Sequence, residues 1–369
     1  PVGIGGRPAR LTAGLDLQWQ RDDRVEFSYL VPNAALTTPD NRPDTVTRNQ
    51  LEQVSEVGPF AQALLEMSPT VSVMAGLRYD RVSFRVTDRH LSDSAPGRPG
   101  DNSGERVMDA VSGSFGVAVS PSPALTAYAN VSNAFETPTT TELNNQPPPA
   151  SGGFNPDLDP QRAWSYEVGA RGQVGGRVSW SVALFQADVK DELIPFEDPA
   201  VPGRRFFDNA AAARHRGVEL GAELRVVPGV ALGGNWTYAH YRYTEFQLGT
   251  FDLAGRAIPG LPAHWLHLRL RAAPQVARGA WLEVGTTYSS DVLVNDTLTA
   301  RAPDWWMATV RAGWDGTLGG LRLSPFIAVQ NVFDKQYVGS VVINAANSRY
   351  YEPAPGRNAY IGFSLGAGR

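Results

Sequence analysis

The residues best equipped for chemistry are cations set beside aromatic rings. Arg204-Arg205-Phe206-Phe207 and Arg349-Tyr350-Tyr351 combine the two types, and Tyr241 and Tyr243 alternate across Arg242. A guanidinium offers fixed donors to an anion, and an aromatic face stacks on a planar group. Arg204, Arg205, Phe206, Tyr241, Tyr243, Arg349 and Tyr350 are therefore the candidates for contacting an anionic, aromatic ligand. Catalysis finds no such support. His264 and His267 are three apart, which puts them on opposite faces of a strand and defeats a shared metal site. No Ser-His-Asp grouping stands out, and a chain with no Cys has neither a thiolate metal site nor a thiol nucleophile. No catalytic residue, metal site or cofactor is expected.

The elements that must carry these residues alternate with period two. Val71, Val73, Ala75, Leu77 and Tyr79 share one face, opposed by Ser72, Gly76 and Arg78. The phase slips after Asp80-Arg81, where Val82, Phe84 and Val86 continue it; a bulge or exit from a bilayer would explain this. Trp164, Tyr166, Val168 and Ala170 oppose Ser165, Glu167, Gly169 and Arg171. Val218, Leu220, Ala222 and Leu224 oppose Glu219, Gly221, Glu223 and Arg225, and Ala359, Ile361, Phe363 and Leu365 form the last apolar face. About fourteen strands are expected, each reaching the roughly 9 to 11 residues that a tilted strand needs to cross hydrocarbon.

Connections alternate in length. Short ones (Ser68-Pro69, Pro121-Ser122-Pro123, Gly175-Gly176, Pro228-Gly229) are interleaved with long ones near 21–47, 87–105, 135–161, 248–259, 291–301 and 331–356. Short turns at one rim and long loops at the other mark an outer-membrane barrel. Trp164, Tyr288, Trp305, Trp306 and Trp314, near strand ends, are expected in interfacial girdles. Charged residues are 19%, mean hydropathy is −0.24, and no apolar run approaches the about 18 residues of a membrane helix. The net charge of −4, with no basic stripe, gives no support for a nucleic-acid surface. The fold class is thus all-β, a transmembrane antiparallel up-and-down barrel.

Several stretches, in this order, resemble TonB-dependent outer-membrane receptors of the siderophore-receptor type: Gly76-Leu77-Arg78-Tyr79-Asp80, Tyr128 to Pro138, Asn155-Pro156-Asp157-Leu158-Asp159-Pro160 and Arg216-Gly217-Val218-Glu219-Leu220. Asn331-Val332-Phe333-Asp334-Lys335-Gln336-Tyr337 and Tyr351 to Asn358 complete the series. The resemblance implies a plugged barrel of about 22 strands. On that reading residues 1–369 are its C-terminal part, with the plug, its TonB-contacting segment and the first strands expected before Pro1. It implies that Glu167 and Glu219, on the lumen face, pair with plug arginines, since a desolvated carboxylate needs a cationic partner. It implies import of a ferric siderophore or other metal chelate, with outer-membrane lipid and the TonB complex as partners. Haem, cobalamin, copper chelates and oligosaccharides are alternatives within the family, and a passive porin outside it. Haem ranks below siderophore, because residues 139–154 hold no axial histidine, although His90 lies in an outer loop.

Overall fold

The computed structural model describes residues 2–4, 6–29, 43–90, 101–148, 153–197 and 205–367. They form one 17-stranded antiparallel sheet, three of whose members are the short pieces Val2–Ile4, Phe251–Asp252 and Gly316–Leu318. Fourteen wall strands remain: β1 Arg7–Tyr29, β2 Pro43–Ser68, β3 Val71–Asp88, β4 Gly104–Ser122, β5 Leu125–Glu136, β6 Gln161–Val174, β7 Val178–Glu197, β8 Arg205–Val227, β9 Val230–Leu248, β10 His264–Ala272, β11 Ala280–Ser289, β12 Trp305–Trp314, β13 Leu321–Gln330 and β14 Asn358–Ala367. Each pairs with the next in chain order, giving an up-and-down meander. Among the described residues β14 has β13 as its one neighbour, and the outer side of β1 carries the short Val2–Ile4 strand.

Turn chemistry separates the two rims. At the short-turn rim Gly175 (φ 58°), Gly176 (φ 65°) and Gly229 (φ 81°) adopt left-handed conformations that side chains resist, which lets adjacent strands reverse within a few residues. At the other rim strands run on. β1, β2, β8 and β9 have 23, 26, 23 and 19 residues, whereas β10 to β13 have 9 or 10. The long connection expected over 21–47 is accordingly shorter, because strand continues to Tyr29 and resumes at Pro43, with residues 30–42 outside the described set.

The apolar face reverses where the wall leaves the membrane. Leu77 and Tyr79 face outward and are exposed, as are Leu15, Leu17, Trp164, Val168 and Leu184 on neighbouring strands, as lipid contact requires. Above Asp80 the apolar residues turn inward: Val82, Phe84, Val86 and Met108 are buried and pack with Leu143, Phe154 and Leu158 from the connection between β5 and β6. The register of β3 against β4 continues without a shift, from Val71↔Val119 to Val86↔Gly104. The phase slip is therefore exit from the bilayer and not a bulge. Solvent replaces lipid outside, and the covered side becomes the interior.

The girdle expectation needs one correction. Tyr288 and Trp306 stack outward at 4.6 Å and Trp164 is exposed on the same face, but Trp305 points inward, against Trp265 (5.7 Å) and Tyr337 (4.6 Å). Adjacent strand residues point to opposite faces, so Trp305 and Trp306 could not both meet lipid. His264 and His267 separate as expected. His264 lies beside the outward Trp236 ring at 5.8 Å, and His267 meets Thr287 Oγ1 at 3.1 Å.

Candidate functional site

Two structures line the inward face of the described wall. The lower is a polar and aromatic patch on the inner wall of β5 to β9. Glu167 on β6 and Glu219 on β8 both point into the lumen, and Tyr128 of β5 joins them, its hydroxyl hydrogen-bonded to Glu167 with Glu219 close enough to act on it electrostatically. Gly169 makes this possible: a Cβ there would stand 2.6 Å from the Tyr128 ring, so glycine alone lets the ring lie across the strand. Phe185 lies over Gly217 in the same way and meets Tyr241 edge-on at 6.4 Å, while Tyr241 stacks on His215 at 4.4 Å.

A second acidic cluster lies on the inner wall of β1 to β3. Arg78 Nε donates to Asp80 Oδ1 at 2.6 Å, Arg78 Nη2 reaches Glu56 at 3.1 Å, and Nη1 meets Asp16. One guanidinium among three carboxylates leaves an excess of negative charge in the lumen. Glu167 and Glu219 add carboxylates on the inner wall of β6 and β8, where Arg171 also acts on Tyr128.

The upper structure is a cap of three interlocked connections, centred on Asp296, which is 3% exposed. Tyr243 on β9 donates its hydroxyl to Asp296 Oδ1 (3.0 Å), and Asn344 donates Nδ2 to Oδ2 (2.6 Å) while accepting from the Asp296 backbone N–H (3.0 Å). The Gly260 N–H bonds Leu293 O at 2.7 Å, and the Tyr351 hydroxyl bonds Arg301 O at 3.1 Å. The connections at 249–263, 290–304 and 331–357 thus hold one another. Under them pack Ile194, Ala211, Tyr243, Phe246 and Leu253.

Glu192 enters this cap from β7. Register shifts between Val189 and Leu193, with Asp191 at φ 58°, bulge the strand and turn Glu192 inward, leaving its Oε2 buried with no hydrogen-bond partner among the described residues. Burial, and then the neighbouring Asp296 charge, raise its carboxyl above the ordinary glutamate range. The Tyr243 hydroxyl is pushed up too, by burial first and then by Asp296.

The candidates from sequence therefore divide. Glu167, Glu219 and Tyr241 come together on the inner wall. Tyr243 and Tyr350 belong to the cap, Tyr350 meeting Asn295 Nδ2 at 3.5 Å, whereas Phe206 is fully buried at the top of β8 with Phe196 of β7 at 5.9 Å. Arg205, opposite Glu197 at the top of β8, and Arg349 are exposed at the rim, and Arg204 lies outside the described residues. Sequence reading missed Tyr128, His215, Glu192, Asp296 and Asn344. For Tyr128 the usable signal was a glycine, Gly169, inside an otherwise well-formed strand.

Comparisons with known proteins agree with this architecture. The family model described as TonB dependent receptor-like, beta-barrel, matches residues 2–332. An iron-regulated outer membrane virulence protein of Vibrio cholerae is 28% identical over 275 residues, 66% of this chain and 37% of that protein. The ferric yersiniabactin uptake receptor of Yersinia pestis superposes with a TM-score of 0.71 at 16% identity, covering 97% of this chain and 51% of that one. The siderophore receptor PiuA of Acinetobacter baumannii gives 0.74 at 16% identity, covering 98% and 53%. The chain thus spans about a third to a half of the length of these relatives.

Proposed function

Because the chain belongs to the TonB-dependent receptor-like β-barrel family of the bacterial outer membrane, we propose that it forms part of the wall and the ligand-gathering loops of a receptor importing a ferric siderophore or a similar metal chelate. The observation that carries this reading is the cap. Three connections that could splay into solvent instead fold inward and lock through Asp296 above the inner wall. Such a cover narrows free passage through the wall. A receptor that must hold a ligand before moving it has use for one, since buried loop contacts supply both affinity and specificity.

The inner-wall acids support the second half of the reading. Glu167, Glu219 and the carboxylates around Arg78 offer anchoring points for arginines of a plug contributed by another part of the receptor, and such pairs hold a domain that must be displaced by energy from TonB. Arg205, Tyr241, Arg349 and Tyr350 are the proposed first contacts of an anionic chelate. The related proteins act on ferric yersiniabactin and, in another solved barrel, on copper, which supports a chelated metal as the ligand class.

The test uses the full-length receptor. Purified protein titrated with ferric siderophores should show saturable quenching of its tryptophan fluorescence, and a host lacking its own receptors should grow on the bound chelate only when TonB is present. Steady ion conductance in planar bilayers, with no chelate bound, would instead establish a porin.

A further inference from the structure

The outward face of β6 to β9 carries an unbalanced block of positive charge just above the lipid-facing band. Val168, Leu184, Val218 and Tyr238 occupy one outward row of paired positions. The next row upward places Tyr166, Gln186, Arg216 and His240 side by side, and the one above it Trp164, Asp188, Arg214 and Arg242. A further step up, Arg162 stands opposite Lys190. Arg162, Lys190, Arg214, Arg216 and Arg242 are all exposed. Asp188 is the single acid in these rows, and it is already engaged by Arg214 Nε (2.6 Å) and Gln186 Nε2 (2.9 Å).

On the outward face of β1, β3 and β4, at the same height, cations stand beside acids. Arg85 pairs with Glu105 at 2.9 Å, Arg81 stands opposite Asp109, and Arg89 bonds Asp23 at 2.7 Å. The β6 to β9 block has one acid for five cations: Arg214, paired with Asp188, stands directly across from Arg242, and Arg162 stands across from Lys190. Arg242 bonds His240 Nε2 (2.8 Å) and the Gly255 carbonyl (2.5 Å) with two of its nitrogens and keeps the third. Like charges in directly opposed positions destabilise a sheet unless an anion lies between them. The block also spans about 15 Å in each direction, from three strand spacings by two steps along the strands. Aromatic rings mark its lower border, Tyr166 in the lowest charged row and Tyr238 one row beneath it, the level at which interfacial side chains meet lipid headgroups.

We propose that this face binds a phosphorylated glycolipid of the outer leaflet, with Arg214, Arg216 and Arg242 clamping phosphates on its sugar headgroup while its acyl chains lie along Val168, Leu184 and Val218. Guanidinium forks suit phosphate oxygens, which accept two parallel N–H bonds. The acyl chains set this occupant apart from a free phosphate, because they alone use the apolar rows beneath. The site does not depend on which chelate the receptor carries.

Native mass spectrometry of the full-length receptor in detergent tests this, using bisphosphorylated lipid A and the same lipid stripped of its phosphates as probes. The unmodified protein should retain the phosphorylated lipid at least tenfold better. The triple variant R214A/R216A/R242A should lose that preference, while R81A, on the same outward face, keeps it; heat-modifiable gel mobility reports that each variant is folded. Equal retention of the two lipids by the unmodified protein would overturn the proposal whatever the variants do. So would displacement of the lipid by millimolar inorganic pyrophosphate, which would mark a phosphate site without a lipid component.

Discussion

Glu192 and Tyr243 show how a buried polar pair can set the behaviour of a surface cap. The Tyr243 hydroxyl supplies one of the donors that satisfy Asp296, so Tyr243→Phe should leave a buried carboxylate oxygen short of a partner and loosen the cap by about 1 to 3 kcal/mol. Limited proteolysis within 290–304 reads this out, and unchanged cleavage would argue against the hub. Glu192 adds a pH dependence whose sign follows from its environment. Its carboxyl is raised in the closed cap, so the closed form binds the proton more tightly than the open form. That stabilisation is complete below the ordinary glutamate range and is lost as pH rises through it toward the raised value. Amide protection factors in 249–263, which remove the intrinsic base catalysis of exchange, should therefore fall from acidic to neutral pH, and Glu192→Gln should flatten that fall. At this scale the sequence was least informative. Asn295-Asp296-Thr297 reads as a turn, but its partners Tyr243 and Asn344 are 53 and 48 residues distant, and no local pattern links them.

Among the elements, the connection between β5 and β6 does the work of a lining. Leu143 is fully buried against Val82, Phe84 and Val86 and sits in a one-turn helix, Thr140–Leu143, whose start is fixed by Thr139 and Glu142 in a reciprocal cap. Leu143→Ala should destabilise this lining by about 2 to 5 kcal/mol and open 139–148 to protease while sparing the membrane strands. Loss of the whole barrel instead would show that the lining is required for wall assembly. Strand placement was readable from alternation wherever one face met lipid, as in β6 with Trp164, Tyr166 and Val168 against Ser165, Glu167 and Gly169. It was less readable above the bilayer, where both faces meet polar surroundings in part and the apolar side changes over. The same parity rule, applied to Trp305 and Trp306, would have shown that only one belonged to the girdle.

For the molecule as a whole, the alternation of short and long connections sufficed to define the architecture, because a meander with all its long loops at one rim has few alternatives. Height was not legible: β2 and β10 differ by 26 residues to 9, yet both contain the same membrane-crossing pattern. Residues 1–369 expressed alone present β14 and the outer side of β1 without a full-length neighbour among the described residues, and open strand edges are costly in hydrocarbon. Residues 1–369 in detergent should therefore run as mixed oligomers by light scattering, joined edge to edge. A stable, heat-resistant monomer would mean that the two edges find each other.

The reversal of the apolar face at Asp80 also works as a waterline. Leu77 and Tyr79 lie below it, and Arg81 opposite Asp109 lies above it on the outward side. Sinking the wall by one two-residue step, about 7 Å of strand, would carry that charged pair toward the acyl chains, where arginine costs up to about 2 to 4 kcal/mol at full depth. Raising it by the same step would lift Leu77 and its neighbours toward water. The barrel therefore floats at one draught, and the long connections stand at a fixed height above the surface however the bilayer around them thickens or thins.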